Sequence, residues 1–415
     1  MLCWLSSIKV HKSPGPDGIP NWLLRDFSSL LCQPLAAIYN SSIRQGSVPR
    51  IWKSAEVIPV PKIHPPASIQ DDLRPISLLP TLAKVLEGIV RDWLMPSLEP
   101  LLDDNQFGCR PGRSTTHALT AIQHKWMQTL DNNGSVRALF VDFKKAFDIV
   151  NHNILFSKLK NFNISHCLLK WFASYLFHRR QRVRVGSRVS SWKTLCGSMP
   201  QGSRLGPVSF IVMIDDLRAD CEVHKFVDDT TFTELITPSY FPSNMSDYLS
   251  SLLIWTTDND MQLNTFKTKE MIISHTDSTS IPPLSTPAGP IQRVITFKLL
   301  GLHLDASLSW TTHINTIISK ASKRLYFLKQ LKRAGVPPHQ LLHFYTAVIR
   351  PVLEYASPVW HHSITRAQSY QLESIQKRAV HITFSDTRGM SYPNVLFVAN
   401  LNSQTDEIDF HVLFP

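Results

Sequence analysis

The spacing of hydrophobic and polar residues predicts both strands and helices. The compact apolar run from Arg137 to Val141 is typical of a buried strand, and apolar residues then recur at helical spacing from Phe143 to Leu159. Arginine and valine alternate between Arg179 and Ser191 around a Gly186-Ser187 turn, which predicts a β-hairpin with its arginines on one face. The middle of the chain is therefore expected to combine a strand that feeds a helix with a basic hairpin.

Two longer helices are predicted outside this region. One runs from Trp22 to Ser42, and the other follows Trp310, where apolar residues recur every three or four positions. The second helix is basic from Lys320 to Arg333 and has no acidic residue in that stretch, so it is either a solvated face or a contact to a nucleic-acid backbone. The Ser/Thr/Pro-rich stretches between Ile236 and Asp247 and between His275 and Gln292 are expected to be surface loops.

Composition indicates a globular chain with a polyanionic partner. Of 415 residues, 43% are hydrophobic and 18% are charged, so the chain can bury a core and is not disordered. The net charge of +11 favours nucleic acid first and an anionic membrane surface second. Apolar runs such as Phe210–Ile214 are far shorter than the roughly 20 residues of a membrane span, and the first residues lack a secretory pattern. No membrane partner is expected, and the six scattered cysteines indicate neither a disulfide framework nor a zinc site.

Carboxylates from two segments of the chain suggest one metal site. The pair Asp228-Asp229 lies between β-branched and aromatic segments, which predicts a hairpin tip, and Asp142 ends the buried run. Two carboxylates about 4 Å apart repel by about 4 kcal/mol at an effective dielectric constant near 20, so a cation is needed to hold them together. Oxygen ligands at a partly hydrated site suit Mg²⁺. The alternative is that Asp142 caps a helix and Asp228-Asp229 forms a plain turn.

The same residues resemble a known family. Three segments resemble, in order, the palm motifs of a reverse transcriptase: Phe140–Asp148, Met199–Pro207 and Phe226–Asp229. Further blocks resemble the non-LTR retrotransposon branch (LINE-like, jockey/CR1-type): Lys12–Pro20, Leu73–Leu78, Gln106–Thr115, Asn264–Lys269 and Leu299–Leu302, with a thumb over Ser307–Arg333. The chain departs from the family where Val227 replaces the usual alanine and Cys109 the usual aromatic residue.

The resemblance implies an α+β fold with right-hand polymerase architecture, which comprises fingers, a palm with an antiparallel sheet, and a helical thumb. The implied domains are fingers with an N-terminal extension over 1–115, a catalytic palm over 116–305, a thumb over 306–385 and a tail over 386–415. Because the chain starts just upstream of the first fingers block and lacks the endonuclease usual in such elements, it is expected to be a truncated piece of a larger element protein.

The resemblance also implies roles for individual residues. Asp142, Asp228, Asp229 and the Phe143 carbonyl would hold two Mg²⁺ ions, with Mn²⁺ as a possible substitute. The other implied residues bind the nucleotide (Lys62, Arg74, Phe147 as a sugar gate, Gln201, Gly202, and Lys267 with Lys269 nearly as good) or the template and primer (Arg179, Arg180, Arg182, Arg184, Lys320, Lys323, Arg324). On the residues alone, the charges could equally be solvated, Phe147 could be a core residue, and the Gln201-Gly202 segment a turn.

The function implied is an RNA-directed DNA polymerase that copies retrotransposon RNA by two-Mg nucleotidyl transfer, primed from nicked target DNA. Its partners would be an RNA template, a DNA primer or nicked target, and dNTPs, and it would act in the nucleus and cytoplasm. The alternative is a domesticated or decayed nucleic-acid-binding protein without catalysis. An RNA-copying RNA polymerase is disfavoured by Phe147 and by the fingers blocks.

Overall fold

The structure is a computed structural model that describes residues 1–69, 72–236, 243–274 and 281–403. By their internal packing these residues form two compact units. Unit 1 comprises Met1–Gly112, Val141–Thr230 and Asp247–Asn264, and unit 2 comprises Arg113–Phe140, Thr231–Ser246 and Thr265–Pro415, as far as these ranges are described. The chain therefore passes from one unit to the other several times.

The described residues form strands in the middle of the chain and helices throughout, with only helices after residue 305. The described α-helices are α1 (Leu2–Ser6), α2 (Asn21–Asp26), α3 (Ser28–Gln45), α4 (Thr81–Leu98), α5 (Thr115–Asp131), α6 (His152–Leu159), α7 (His166–Leu176), α8 (Gly206–Ile214), α9 (Met245–Asp258), α10 (Thr311–Arg333), α11 (Pro338–Phe344), α12 (Arg350–Glu354), α13 (Ser357–Trp360), α14 (Arg366–Thr383) and α15 (Tyr392–Ala399). The described strands are β1 (Ser54–Pro61), β2 (Leu73–Leu78), β3 (Ser135–Val141), β4 (Arg180–Val185), β5 (Arg188–Val189), β6 (Lys193–Thr194), β7 (Glu222–Phe226), β8 (Asp229–Ile236), β9 (Lys269–Ile273), β10 (Ser285–Thr286), β11 (Gly289–Pro290), β12 (Gln292–Arg293), β13 (Thr296–Leu299) and β14 (Leu302–Asp305). This content confirms the α+β class.

In unit 1, a mixed sheet brings distant segments together. Strand β1 pairs antiparallel with β2 and parallel with β4, and β4 pairs antiparallel with β5 and β6. In the same unit, helix α8 is buried almost all round because its sequence is apolar on every face. Helix α8 packs against α6, and α3 packs against α7. The core of this unit therefore surrounds α8, the helix that follows the second palm-like motif.

In unit 2, the central strands are buried on both faces. Strand β3 pairs antiparallel with β9, where Ala138 lies opposite Met271, and β12 pairs parallel with β9. Most of the buried hydrophobic residues of this unit belong to one large cluster that includes Trp126, Trp310 and Trp360, and two smaller clusters lie apart from it. Helix α10 turns its apolar face into this cluster and packs along α14. An amphipathic helix is stabilised by burying such a stripe.

Several sequence predictions differ from the structure. The strand at Arg137–Val141 is confirmed, but the predicted helix from Phe143 starts only at His152, because the chain first makes turns over residues 144–148 with Lys145 at φ +48°. The helix predicted over Trp22–Ser42 is interrupted at Phe27. The two Ser/Thr/Pro-rich stretches lie partly outside the described residues. No helix in the described ranges is both long and apolar enough to cross a membrane.

Candidate active site

The three carboxylates among the predicted metal ligands belong to unit 1 and influence one another. Asp142 follows the last residue of β3, Asp228 lies in the turn between β7 and β8, and Asp229 is the first residue of β8. Burial raises the pKa of Asp228, and the charge on Asp142 raises it further. Burial, followed by the charges on Asp228 and Asp142, raises the pKa of Asp229 to about 6, although its side chain keeps contact with solvent on one side. The fold therefore brings the three carboxylates into mutual electrostatic reach.

The backbone at the end of β3 is arranged so that one carbonyl stays out of the sheet. Phe143 forms an isolated antiparallel bridge with Leu263. The bonds of this bridge run from the Asn264 amide to the Asp142 carbonyl and from the Lys144 amide to the Gln262 carbonyl, each 2.8 Å long. In such a pair the central residue's own carbonyl points away from its partner. The Phe143 carbonyl is thus not used by the bridge, as a metal-ligand role would require.

The donor set fits Mg²⁺ without forming a complete protein cage. Within the described ranges, no group of three or more His, Cys, Asp or Glu side chains is arranged so that it could hold a metal ion by itself. Mg²⁺ commonly takes only one or two carboxylates and completes its shell with water and substrate phosphates. The chemistry therefore fits a site whose remaining ligands come from a bound nucleotide, because the donors are hard oxygens and the carboxylates repel one another.

The predicted nucleotide-binding residues of unit 1 gather near Asp148. Burial raises the pKa of Asp148, and this rise is opposed by a hydrogen bond from Gln201 and by the charges on Lys145 and Lys62. The Gln201 Nε2 group donates to the Asp148 Oδ1 atom at 3.3 Å. Arg74 lies opposite Val60 in the β1–β2 pair, and the Lys62 amide donates to the Asp72 carbonyl, so Lys62 and Arg74 come from adjacent ends of one hairpin. Lys62 and Gln201 thus both lie close enough to Asp148 to affect its carboxylate.

A cavity of about 600 Å³ lies next to Asp148, within unit 1. Its lining includes Pro75, Ser77, Asp148, Cys196 and Gln201. Asp148 lies in the motif that carries Asp142, yet sequence reasoning gave it no role. The only sequence signal was its position beside Phe147, because its partner Gln201 lies 53 residues away.

Phe147 and Gly202 occupy constrained positions. The Phe147 ring stacks on Phe210 with 4.8 Å between centroids, and its carbonyl accepts the Met199 amide. Gly202 has a φ of +113°, and an added Cβ would lie 3.1 Å from the Ser77 carbonyl oxygen. A residue with a side chain is strained in that conformation. The second palm-like motif is therefore held against both the Phe147 turn and β2.

The predicted leaving-group cation belongs to unit 2. Lys267 is exposed in the turn that precedes β9. The Lys269 Nζ atom donates to the Phe266 carbonyl at 2.5 Å and to the Gln292 Oε1 atom at 2.7 Å. The Nζ atom of Lys269 is therefore bonded to two partners within the protein, and the choice between Lys267 and Lys269 stays a prediction.

The hairpin arginines are largely bonded within the protein. Arg182 and Arg184 both pair with the buried Glu56 carboxylate on β1, and the guanidinium groups of Arg180 and Arg182 lie over the Trp192 ring. The prediction that the hairpin arginines share one face is confirmed for Arg180, Arg182 and Arg184. Arg179 is only 1% exposed and donates to the Tyr175 carbonyl, so its guanidinium group lies inside unit 1 and not on the surface where a template or primer would bind.

The basic residues of α10 are more accessible. Lys320 and Lys323 are exposed on the side of α10 away from its buried apolar stripe. Arg324 is half-buried and donates to the Val348 carbonyl. Of the two predicted nucleic-acid contacts, the helix therefore presents exposed charge and the hairpin presents charge that is already paired.

A comparison with known families decides the assignment. A family model described as reverse transcriptase (RNA-dependent DNA polymerase) matches residues 60–304, more than half of the chain. The chain belongs to the reverse transcriptase family. The matched range contains the three carboxylates and every predicted nucleotide-binding residue. A second match, to a model described as alkylated DNA repair protein alkB homolog 8, N-terminal, covers only residues 310–350, too little of the chain to assign another family.

Curated relatives of this chain come from mobile elements. It is 27% identical to the probable RNA-directed DNA polymerase from transposon BS of Drosophila melanogaster, over 91% of this chain and 43% of the relative. It is 26% identical to the RNA-directed DNA polymerase from mobile element jockey of the same species, over 86% of this chain and 40% of the relative. These matches confirm the resemblance to the jockey-type branch. The chain spans about two fifths of the length of these relatives.

Solved structures give a more distant likeness. A telomerase from Candida albicans, in complex with a TWJ fragment of telomeric RNA, is 14% identical, covers 90% of this chain and 69% of that chain, and has a TM-score of 0.45.

Proposed function

We propose that this chain is an RNA-directed DNA polymerase that adds dNTPs to a primer 3′-hydroxyl while copying retrotransposon RNA. The observation that carries the proposal is the cluster of Asp142, Asp228 and Asp229, whose negative charges lie in mutual reach within one unit of a reverse transcriptase. Such a cluster suits two Mg²⁺ ions, which supply charge neutralisation at the triphosphate and activation of the hydroxyl when bound. Mn²⁺ is a possible substitute.

The proposed roles of the other residues come from the resemblance to the family. Lys62 and Arg74 neutralise the incoming triphosphate, and Gln201 and Gly202 lie beside the nascent base pair. Phe147 excludes the 2′-hydroxyl of a ribonucleotide, and Lys267 stabilises the leaving group. Lys320 and Lys323 contact the template or primer backbone. The division into fingers, palm, thumb and tail and the priming from nicked target DNA belong to the same proposal.

Primer extension on an RNA template with dNTPs and Mg²⁺ tests the function. We expect the purified wild-type chain to extend the primer and the Asp228→Ala variant to lose at least 100- to 1000-fold in rate, as when one charge-stabilising group is removed from an active site. The exposed Asp92 on α4 offers a matched control, and Asp92→Ala should extend normally. Near-wild-type extension by Asp228→Ala would contradict the assignment. No extension by either protein, with salt-dependent RNA binding intact, would favour the non-catalytic binding protein.

Nucleotide selection tests the role of Phe147 separately. The Phe147→Val variant removes the ring that stacks on Phe210 and opens space at the proposed sugar position. We expect its use of ribonucleotides to rise relative to deoxynucleotides, measured as the ratio of the two kcat/KM values. Replacing Phe210 by leucine perturbs the same stack from the other side and serves as control. An unchanged ratio in Phe147→Val would reject the gate.

A further inference from the structure

The backbone immediately before Asp228 is strained. Val227 has a φ of +61°, in the left-handed region. A β-branched residue rarely adopts this conformation, which is strained and persists only where the surroundings enforce it. Because Val227 directly precedes Asp228, the backbone conformation of Val227 determines the positions of Asp228 and Asp229. Something in the surroundings must hold Val227 in this state.

The side chain of Gln106 holds this residue. Gln106 is fully buried, and its Oε1 atom accepts the Val227 amide at 3.1 Å and the Gly108 amide at 2.8 Å. Its Nε2 atom has no hydrogen-bond partner within the described ranges. A buried amide nitrogen without a partner lowers the stability of the fold. The contribution of Gln106 therefore comes from its oxygen, which accepts both backbone amides.

Two backbone contacts fix the loop that carries Gln106. The Phe107 amide donates to the Lys225 carbonyl and the Lys225 amide to the Asn105 carbonyl, each at 2.8 Å, so this loop pairs with β7 as a short parallel bridge. Gly108 lies so close to the turn that an added Cβ would stand 2.6 Å from the Val227 nitrogen. The loop and the turn are therefore in direct backbone contact, with no room for a side chain between them.

The side chain of Lys225 anchors the same end of β7, two residues before Val227. It is 1% exposed, and its Nζ atom pairs with Asp103 at 2.7 Å and donates to the Leu217 carbonyl at 2.9 Å. Asp103 lies three residues before Gln106, so the same loop is tied to β7 on both sides of the glutamine. The acceptor for Val227 is thus held by a rigid frame.

We infer that Gln106 is a positioning residue: it holds Val227 in its left-handed conformation and thereby keeps Asp228 and Asp229 close to Asp142 for metal binding. This inference rests on the proposed function of the three aspartates. Gln106 touches none of the reacting atoms. Its effect passes through one backbone amide.

Metal binding and amide exchange test this role. We expect Gln106→Met, which keeps the length of the side chain but removes the acceptor, to weaken Mn²⁺ binding about tenfold, measured by electron paramagnetic resonance of free Mn²⁺ without nucleic acid. Hydrogen exchange at the Val227 amide should accelerate at least tenfold. In primer extension, kcat should fall while the KM for dNTP stays the same.

A second buried glutamine provides the control. Gln376 in unit 2 is also 0% exposed and accepts a hydrogen bond from Tyr345, so Gln376→Met removes a comparable buried amide. It should lower the unfolding temperature but leave Mn²⁺ binding and Val227 exchange unchanged. If Gln106→Met behaves in the same way, Gln106 is an ordinary core residue and the inference is wrong.

A variant that approaches the turn from the other side covers the case in which Gln106→Met does not fold. Gly108→Ala pushes a methyl group against Val227 and should also weaken Mn²⁺ binding about tenfold, and unchanged binding would overturn the inference. Failure of the proposed function gives a different result: wild type and Asp228→Ala would then bind Mn²⁺ equally, whereas Val227 exchange would still report whether Gln106 holds the turn.

Discussion

The β4–β5 hairpin of unit 1 and helix α10 of unit 2 both carry a row of basic side chains, and both were predicted to contact nucleic acid. In the hairpin, Arg182 and Arg184 converge on the buried carboxylate of Glu56. In α10, Lys320 and Lys323 point to solvent while the opposite face of the helix is buried. Similar sequence signals therefore serve internal stability in one region and offer exposed charge in the other.

The largest expected effect concerns the buried face of α10. His313 lies among Trp310 and Trp360 in the core of unit 2, and burial lowers its pKa to about 4. The unfolded chain, with a histidine pKa near 6.5, binds a proton between pH 6.5 and 4 where the folded chain does not, so stability falls as the pH drops through this window. We expect wild type to lose about 2.5 kcal/mol relative to His313→Phe between pH 7 and 4.5.

Urea unfolding of both proteins at the two pH values measures this difference. Phenylalanine keeps an aromatic ring among the tryptophans and removes the titrating group. If the free energies of unfolding of the two proteins change equally with pH, His313 is not the group that causes the pH dependence.

The next effect concerns the internal partner of the hairpin. Glu56 is 1% exposed, so Glu56→Ala leaves Arg182 and Arg184 without their carboxylate. We expect the free energy of unfolding to fall by about 2 kcal/mol, less than for a fully buried pair because the arginines are partly exposed. The triple variant with Arg182→Gln and Arg184→Gln should recover part of this loss in urea unfolding. No recovery would mean that Glu56 stabilises the sheet without its arginines.

The smallest effect separates the two regions directly. Lys320→Gln with Lys323→Gln should weaken single-stranded RNA binding about tenfold at 0.1 M salt and reduce the slope of log K against log salt by about 1.4, because two phosphate contacts are lost. Arg182→Gln with Arg184→Gln should leave that slope unchanged. Filter binding across a salt series measures both. A shallower slope for the arginine variant and not for the lysine variant would reverse the comparison.

Sequence predicted the elements well where a pattern is local. The strand before Asp142, the hairpin around Gly186 and the turn at Asp228 all follow from residue types within a few positions. The helix predicted from Phe143 failed because Lys145 adopts a left-handed backbone, which apolar spacing does not report. The ion-pair partner of Arg182 could not be predicted from a local pattern either, because Glu56 lies 126 residues away in the sequence.

The candidate site shows the same division. Asp142, Asp228 and Asp229 could be chosen from motifs, because each motif lies at the end of a strand or in a turn. The roles of Asp148 and Gln106 could not, because their side chains meet Gln201 and Val227 only after the chain has folded. A motif gives the chemistry of a site, whereas the contacts that orient it depend on tertiary structure.

The order in which the chain is synthesised gives the contact between Gln106 and Val227 a further consequence. The two residues lie 121 positions apart, so at about 5–20 residues per second a ribosome releases Gln106 about 6–24 s before its partner. During that interval the Asn105–Gly108 loop has no strand β7 to pair with. The last segment of unit 1 is complete only when Asn264 has been added, after residues 113–140 of unit 2 have already been synthesised. Neither unit can complete its folding early, and a nascent chain must keep both incomplete units from aggregating for most of its synthesis.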